Sequence, residues 1–494
     1  MKNKIILLLT VICLYLINVL PVFAEYDTDS AIERTMEYQL KKTAATDVQS
    51  FVDDGLVPYA GTGPAEWFVI ALQGYDTSIN FAGYVEALDN YVNSHENLAA
   101  TDYERIALAK SCLGTDKKWI EDVIDNYTGK KGLMSIIYGL MLSAYGEFDT
   151  EITSDEIAAM LSEYQLSDGG FSVEGKRSDT DVTAMALQSL APLSEKYGDT
   201  IQKGINYLIK ARLENGGFSS MGIENMESSA QALMAFCALG DNENATISAE
   251  YIMAHQNDDG GFPHIIGGES NGIATYQCLM ALVSYNRLVS GRTFLYASDN
   301  NWNDVGTVEK TTDTGFRLTG RIIKYLIIGF IVIIYIALIL TDVFRKKISL
   351  KKIIILSAIE VVLLTAVILS KIETNSEHYD SMVSGDISTV IYIKGHNGEI
   401  LLDKKDIPLN EGESVFRQLL NASKIYEIPI DYNGSETMET IYIKSIDGVS
   451  EFDYGNYSGW TYTVNGQFPD KSCSAYKLNE GDVVEWIYTD DGGK

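Results

Sequence analysis

At 494 residues the chain is too long for one compact core, so two or more domains are expected. A hydrophobic fraction of 46% with 10% aromatics describes a chain that folds. Its 68 acidic residues against 38 basic ones leave a net charge of −30, a field that repels phosphate backbones and excludes nucleic acid as an expected partner.

The N-terminus has the pattern of a secretory signal over residues 1–24. Lys2 and Lys4 make a basic start, residues 5–20 are apolar, and Val22-Phe23-Ala24 offers small residues for cleavage before Glu25. An uncleaved anchor is the alternative. Cys13 would leave with the signal, so Cys112, Cys237, Cys278 and Cys473 remain. Cys237 and Cys278 lie in apolar helical runs and read as small core residues, and sequence alone leaves open whether they are bridged. No Cys-x-x-Cys or His-x-x-x-His pair occurs and the five His are scattered, so no zinc site is expected.

From about residue 30 to 290 apolar residues recur at helical spacing in paired segments of roughly 40 residues. Three junctions share a signature: Asp168-Gly169-Gly170-Phe171, Asn215-Gly216-Gly217-Phe218 and Asp259-Gly260-Gly261-Phe262. The phenylalanines fall 47 and then 44 residues apart. Paired glycines permit positive φ in a tight interhelical turn, and the Phe can plug the adjoining core. Three more degenerate pairs upstream place second helices near 65–75, 102–113 and 132–145. Six pairs predict a ring with one helix of each pair inside.

Two apolar runs follow a linker over 296–320, and each approaches the ~20 residues that cross a bilayer. They predict membrane helices over 321–343 and 353–371, joined by a loop over 344–352 rich in Lys and Arg. The positive-inside rule makes that loop cytoplasmic, so both large flanking domains are expected outside a bacterial cell membrane. Glu360 falls near the middle of the second run, where a carboxylate in lipid is costly. It is a candidate contact for a membrane partner such as a transporter subunit, or it faces Tyr335 of the other helix. After a polar linker over 372–386, residues 390–393 and 399–402 flank the hairpin signal His396-Asn397-Gly398. A helix over 414–425 with Ser414 as its cap, and strands over 440–446, 460–464 and 483–489, predict a small α+β domain over 387–494.

The repeated Gly-Gly-Phe junctions resemble the prenyltransferase and squalene-cyclase repeat, which implies an all-α, α6/α6 toroid over about 25–295, with the likeness strongest over 155–285. Ser458-Gly459-Trp460-Thr461-Tyr462-Thr463-Val464-Asn465-Gly466, followed by Glu480-Gly481-Asp482-Val483-Val484-Glu485-Trp486, resembles the β-grasp-like (DUF4430-type) domain at the C-terminus of transcobalamin and intrinsic factor. A toroid followed by this small domain is the layout of the cobalamin carriers. The resemblance implies cobalamin, or a related corrinoid or tetrapyrrole, clamped between the two domains. The expected membrane hairpin departs from that secreted layout.

The toroid also serves enzymes, so a site has to be argued apart from the fold. Protein prenyltransferases resemble the ring but need an Asp/Cys/His zinc site, for which Cys278 and His264 are poorly placed. Class II terpene cyclases use Asp-x-Asp-Asp-Thr-Ala with a protonated middle Asp. Here Asp179-Thr180-Asp181-Val182-Thr183-Ala184 lacks the last acid, which removes one device for holding a pKa up. Aligned by the apolar pattern, Asp179 stands opposite Asn225 and Asn271, all good N-caps, and Asp181 opposite Glu227 and Ile273. Asp179 therefore reads as a cap and Asp181 as an acid welcome at a helix N-terminus; if the chain is an enzyme, Asp181 is its catalytic candidate.

A further slot holds Met185, Gln231 and Gln277. Two amides at equivalent inner positions suit a polar ligand such as a corrin amide, or cap neighbouring backbone. Trp67 and Tyr276 are aromatic candidates for the mouth. Trp460 and Tyr462 alternate on one strand and share a face, either over a ligand or in the domain's own core. The expected function is a membrane-anchored extracellular ligand-binding protein, with an isoprenoid cyclase or transferase, or a surface module for protein or glycan, as alternatives.

Overall fold

The computed structural model describes residues 27–297 save 96–97, 174 and 221, part of 327–339, 350–369, 383, and 385–490 save 456–457. The expected signal over 1–24, nearly all of both linkers and most of the first apolar run and the basic loop lie outside the described residues.

Twelve helices build the ring: α1 (Thr28–Thr43), α2 (Pro64–Tyr75), α3 (Ala82–Ser94), α4 (Ala100–Leu113), α5 (Lys117–Tyr127), α6 (Gly132–Tyr145), α7 (Ser154–Ser162), α8 (Thr180–Leu190), α9 (Ser194–Ala211), α10 (Met226–Ala238), α11 (Asn242–Ala254) and α12 (Gly272–Val289). The even-numbered helices touch in the order α2, α4, α6, α8, α10, α12 and back to α2, which closes the inner ring. Odd-numbered helices pack outside them, α7 on α6, α9 on α8, α11 on α10 and α1 on α12. The inner helices are apolar almost all round, as buried helices are, whereas outer α9 and α5 keep a polar face.

The Gly-Gly-Phe turns account for the short connections. Gly169, Gly216 and Gly260 have φ of 94°, 95° and 93°, a region in which a side chain would strain the backbone. Each turn closes on itself through Gly169 N–H to Leu166 O, Gly216 N–H to Leu213 O and Gly260 N–H to Asn257 O. Phe171, Phe218 and Phe262 then point into the ring with no exposed surface. Their backbone N–H groups donate to Thr183 Oγ1 at 2.8 Å, Ser229 Oγ at 3.0 Å and Thr275 Oγ1 at 3.0 Å, so a turn and the next inner helix are tied in each repeat. The far end of the ring is closed by the chain's own segment after α12, where Phe294 and Tyr296 pack on Tyr145 and Leu295 lies against Gly74.

A short ladder of β1 (Ser219–Ser220) and β2 (Ile223–Glu224) precedes α10. The C-terminal unit is a four-stranded sheet in the order β4-β3-β9-β8, made of β3 (Ile387–Lys394), β4 (Ile400–Leu409), β8 (Gly459–Val464) and β9 (Val483–Thr489). β3 and β4 form the expected hairpin, and β9 runs parallel to β3 and antiparallel to β8. Its single long helix (Val415–Tyr426) is capped by Ser414, whose Oγ accepts from Arg417 N–H, and packs on β3 and β4. A second sheet orders β5 (Ile430–Asn433), β6 (Tyr442–Ile446) and β7 (Val449–Ser450). All four described cysteines are free and buried, so Cys237 and Cys278 are not bridged.

The expected architecture of helical toroid plus small sheet domain fits, but the transmembrane hairpin does not. Among the described residues no helix is long and apolar enough to cross a membrane. The helix Leu350–Leu369 covers the second run, yet it starts with Lys351 and Lys352 and carries Glu360 half-buried at its centre. A central charge of that kind costs ~2.5–3.5 kcal/mol or more in lipid. Tyr335 meets this helix at Ser357, hydroxyl to hydroxyl at 2.8 Å, rather than at Glu360. The two-pass membrane placement falls with the hairpin.

Phe262→Ala removes a fully buried ring beside a turn that closes the toroid. It is expected to destabilise the protein by about 3–5 kcal/mol in chemical denaturation.

Candidate functional site

Because inner and outer helices alternate along the chain, the inner helices run in one direction and their N-termini share one rim of the ring. A helix N-terminus leaves backbone N–H groups unpaired, and the sequence answers with caps. Asp179 accepts from Asp181 N–H and Val182 N–H at 3.0 and 3.1 Å, Asn225 from Ser228 N–H at 2.8 Å, and Asn271 from Ile273 N–H and Ala274 N–H at 2.8 and 3.1 Å. Asp179 is thus a cap in all respects expected of it, and its second oxygen takes the Ser220 hydroxyl at 2.9 Å.

Asp181 behaves differently. It is half-buried, and its Oδ1 is enclosed without a hydrogen-bond partner. Burial first, and the neighbouring Asp179 carboxylate second, push its carboxyl up from the ordinary 3.8 to about 7. The adjacent Ser228 hydroxyl pulls it down, although no aligned bond forms and Ser228 Oγ is itself buried and unpartnered. Glu227 and His264 complete the corner. Glu227 Oε2 lies 2.8 Å from His264 Nδ1, and that contact is the first cause of a raised His264 pKa, with Asp470 of the C-terminal domain and Asp181 adding to it. The loop carrying His264 is fixed to the rim by Met226 N–H donating to His264 O at 3.1 Å.

Below the rim the amides are coupled. Gln188 Nε2 donates to Gln231 Oε1 and Gln231 Nε2 to Gln277 Oε1, both at 3.0 Å, so three inner helices share an amide ladder. Gln188 Oε1 stays buried without a partner. Gln188, not Met185, is the third member of the ladder, one helical turn deeper than the repeat alignment placed it. Across the ring, Trp67 stacks on Tyr138 with centroids 6.0 Å apart, and Tyr276 meets Phe68 edge-on. Tyr138 is pushed up to about 12 by burial. Trp67, Tyr138, Met185, Gln231, Tyr276 and Gln277 are all half-buried on inner helices, so they face one interior.

Sequence reasoning missed a charged network on the same wall. Glu66, without exposed surface, accepts from Gly61 N–H, Gly63 N–H and Tyr84 OH at 2.6, 2.7 and 2.5 Å. Arg105 Nε adds a contact at 3.2 Å, and its Nη1 reaches Asp102 at 2.8 Å. Burial raises the Asp102 pKa, but Arg105 and Lys444 outweigh it and hold the carboxyl below its ordinary range. A Glu and an Arg on different inner helices carry no local pattern that betrays such a pair.

The C-terminal domain docks on this rim. Lys444 reaches Asp102 at 3.3 Å, Lys42 reaches Glu439 at 2.5 Å, and Lys471 reaches Glu269 at 2.7 Å. Met438 is 1% exposed and packs in the toroid's core rather than in that of its own domain. These contacts fall on α1, α4 and the start of α12. Among the described residues no hydrogen bond or ion pair from the C-terminal domain reaches α6 or α8, so the mouth beside Asp181 is left on the open side. Trp460 and Tyr462 are not brought to this mouth. Both lie in their own domain's core, with Trp460 Nε1 donating to Val449 O at 2.9 Å and the Tyr462 hydroxyl to Lys471 O at 2.7 Å. Their alternation made a common face visible, but not that the rest of the domain covers it. Among the described residues no cluster of His, Cys, Asp or Glu is arranged to hold a metal ion.

A raised acid pKa has a definite consequence for stability. Between the ordinary carboxylate range and about 7 the folded chain holds a proton on Asp181 that the unfolded chain has released, so stability falls as pH rises through that window. His264 acts in the same direction, since a raised imidazole pKa stabilises below its unfolded value and loses that contribution above its folded one. Asp181→Asn should flatten the fall from pH 4 to 7 and stabilise the protein at pH 8, as read from urea midpoints across that range.

Comparison with known proteins places two domains. Residues 133–314 match the family described as "Prenyltransferase alpha-alpha toroid domain", and residues 412–490 match "Domain of unknown function (DUF4430)". No curated protein sequence matches the chain. Among solved structures, haptocorrin in complex with Cbi is similar at 12% identity and a TM-score of 0.48, over 93% of this chain and 97% of its own. Unsaturated glucuronyl hydrolase from Bacillus sp. GL1 is similar at 13% identity and 0.40, over 56% and 100%. Candida albicans protein geranylgeranyltransferase-I complexed with GGPP is similar at 13% and 0.37, over 52% and 91%. All three scores lie below 0.5, so none bears on function.

Proposed function

We propose that the chain binds a small molecule at the open side of the toroid's mouth, and that the ligand is cobalamin or a related corrinoid. The observation that carries this reading is the docking of the C-terminal domain on the rim that bears Asp181, the amide ladder and the Trp67–Tyr138 stack. Sites between domains, apolar with a few convergent polar groups, are where such ligands bind. Trp67, Tyr138 and Tyr276 supply apolar walls, Gln231 and Gln277 supply amides, and Asp181 accepts from a donor on the ligand. The choice of corrinoid rests on the resemblance of the 458–466 and 480–486 stretches to the cobalamin carriers, and its peripheral amides match the amides and carboxyl here. Cyanocobalamin and cobinamide titrated into the full chain should bind, with Gln277→Ala weakening affinity about tenfold. No binding of either corrinoid by calorimetry or absorbance would remove the ligand assignment.

Asp181 itself favours a second reading. A buried carboxyl with a pKa near neutrality is the state a proton donor needs, and it arises here without the missing acid at Val182. In that case the chain is a cyclase-like enzyme acting on an uncharged isoprenoid. Turnover of squalene-class substrates that disappears in Asp181→Asn would support it, and retention of corrinoid binding by the same variant would argue for the carrier.

A further inference from the structure

The turn that carries Met438 is built unlike the other contacts between the domains. Ser435 N–H donates to Thr440 Oγ1 at 3.0 Å, Met438 N–H to Ser435 Oγ at 3.3 Å, and Thr440 N–H to Ser435 O at 3.0 Å, so residues 435–440 hold their own shape. Gly434, with φ of 92°, packs against the Thr440 carbonyl where a Cβ would stand 2.2 Å from its oxygen. This preformed knob seats in a socket at the first turn of α12. A Cβ on Gly272 would stand 1.9 Å from Met438 O, so only glycine admits the knob there. Beside it Lys42 is shared between Glu439 at 2.5 Å and the Tyr38 hydroxyl at 3.0 Å.

Of the remaining cross-domain pairs, Lys444–Asp102 on α4 is also largely buried, whereas Lys471–Glu269 is loose. Glu269, opposite Lys471, is almost fully exposed. On the other side, the domains meet at the Asp181, Glu227, His264 and Asp470 group, which among the described residues has no comparable interlock. We propose that the 435–440 turn in its Gly272 socket is the pivot on which the C-terminal domain is held, so that the cleft opens and closes on the α8 and α10 side. A ligand then enters past Asp181 and His264 while the α12 side stays engaged. The pivot itself is independent of what the cleft binds, and only this entry route rests on the ligand-binding reading above.

The test uses the full chain. Gly272→Ala adds one methyl at a helical position where alanine is favoured over glycine, so the toroid keeps its fold while the socket is filled. Hydrogen exchange should show loss of protection over residues 435–440, and small-angle scattering should show a larger radius of gyration. Met438→Glu, which leaves the helix untouched, should give the same two changes. Lys471→Ala should give neither. Wild-type protection and radius in both Gly272→Ala and Met438→Glu would overturn the proposal, as would release of the domain by Lys471→Ala. Corrinoid titration is read separately: a pivot that behaves as stated in a chain that binds no corrinoid removes the ligand and leaves the pivot.

Discussion

The alternation of inner and outer helices is the constraint on which the molecule depends. It sends the N-termini of α2, α4, α6, α8, α10 and α12 to one rim and their C-termini to the other. One rim therefore gathers unpaired N–H groups and partial positive charge, and attracts oxygens. Asp179, Asn225 and Asn271 satisfy part of that demand, and the Met438 carbonyl adds another oxygen at α12. The opposite rim is covered by residues 294–296 against Gly74, Cys112 and Tyr145.

Magnitudes decide what Asp181 becomes on that rim. A helix N-terminus favours a carboxylate by ~0.3–1 kcal/mol. The rise of its pKa from 3.8 to about 7 corresponds to about 4 kcal/mol against the charged form. Desolvation and Asp179 therefore win, and the group welcomed by the dipole keeps its proton well above the ordinary carboxylate range. The docking of the domains follows similar logic. Burying a Met side chain contributes ~1.5–3 kcal/mol, whereas an exposed pair such as Lys471–Glu269 contributes ~0–1 kcal/mol. Lys444 is the second cation on Asp102: Arg105 is shared between Asp102 and Glu66, so losing Lys444 would leave two buried carboxylates on one guanidinium.

What was legible in the sequence was local. The Gly-Gly-Phe turns, the Asp179, Asn225 and Asn271 caps, the six inner helices and the hairpin at His396-Asn397-Gly398 all depend on residues a few positions apart. The hydroxyls of Thr183, Ser229 and Thr275, each four residues after a cap, were equally periodic, yet their partner is the backbone of the preceding turn and no composition signal marks it. The environment of Asp181 was not legible, because beyond Asp179 it is set by burial and by Ser228, Glu227 and His264 from later repeats. Nor was the fate of Trp460 and Tyr462, since strand alternation gives a shared face without saying what covers it. Apolar length over 353–370 suggested a membrane helix, and hydropathy alone could not weigh Lys351, Lys352 and Glu360 against it.

The charge of the open side narrows which chemistry it accepts. Asp179, Asp181, Glu227 and Asp470 converge there, with His264 held to Glu227. An anionic ligand would face this gathering of acidic groups in a partly desolvated site where Coulomb repulsion is poorly screened. A prenyl diphosphate is therefore a poor occupant, and transferase chemistry of that kind is disfavoured more strongly than proton-initiated chemistry on an uncharged hydrocarbon. A neutral ligand meets no such penalty, and the unpartnered oxygens nearby, Asp181 Oδ1 and Gln188 Oε1, are enclosed by protein. Enclosed oxygens without donors are costly to the fold, and carboxyl groups gathered around them oppose an anion more than a neutral molecule.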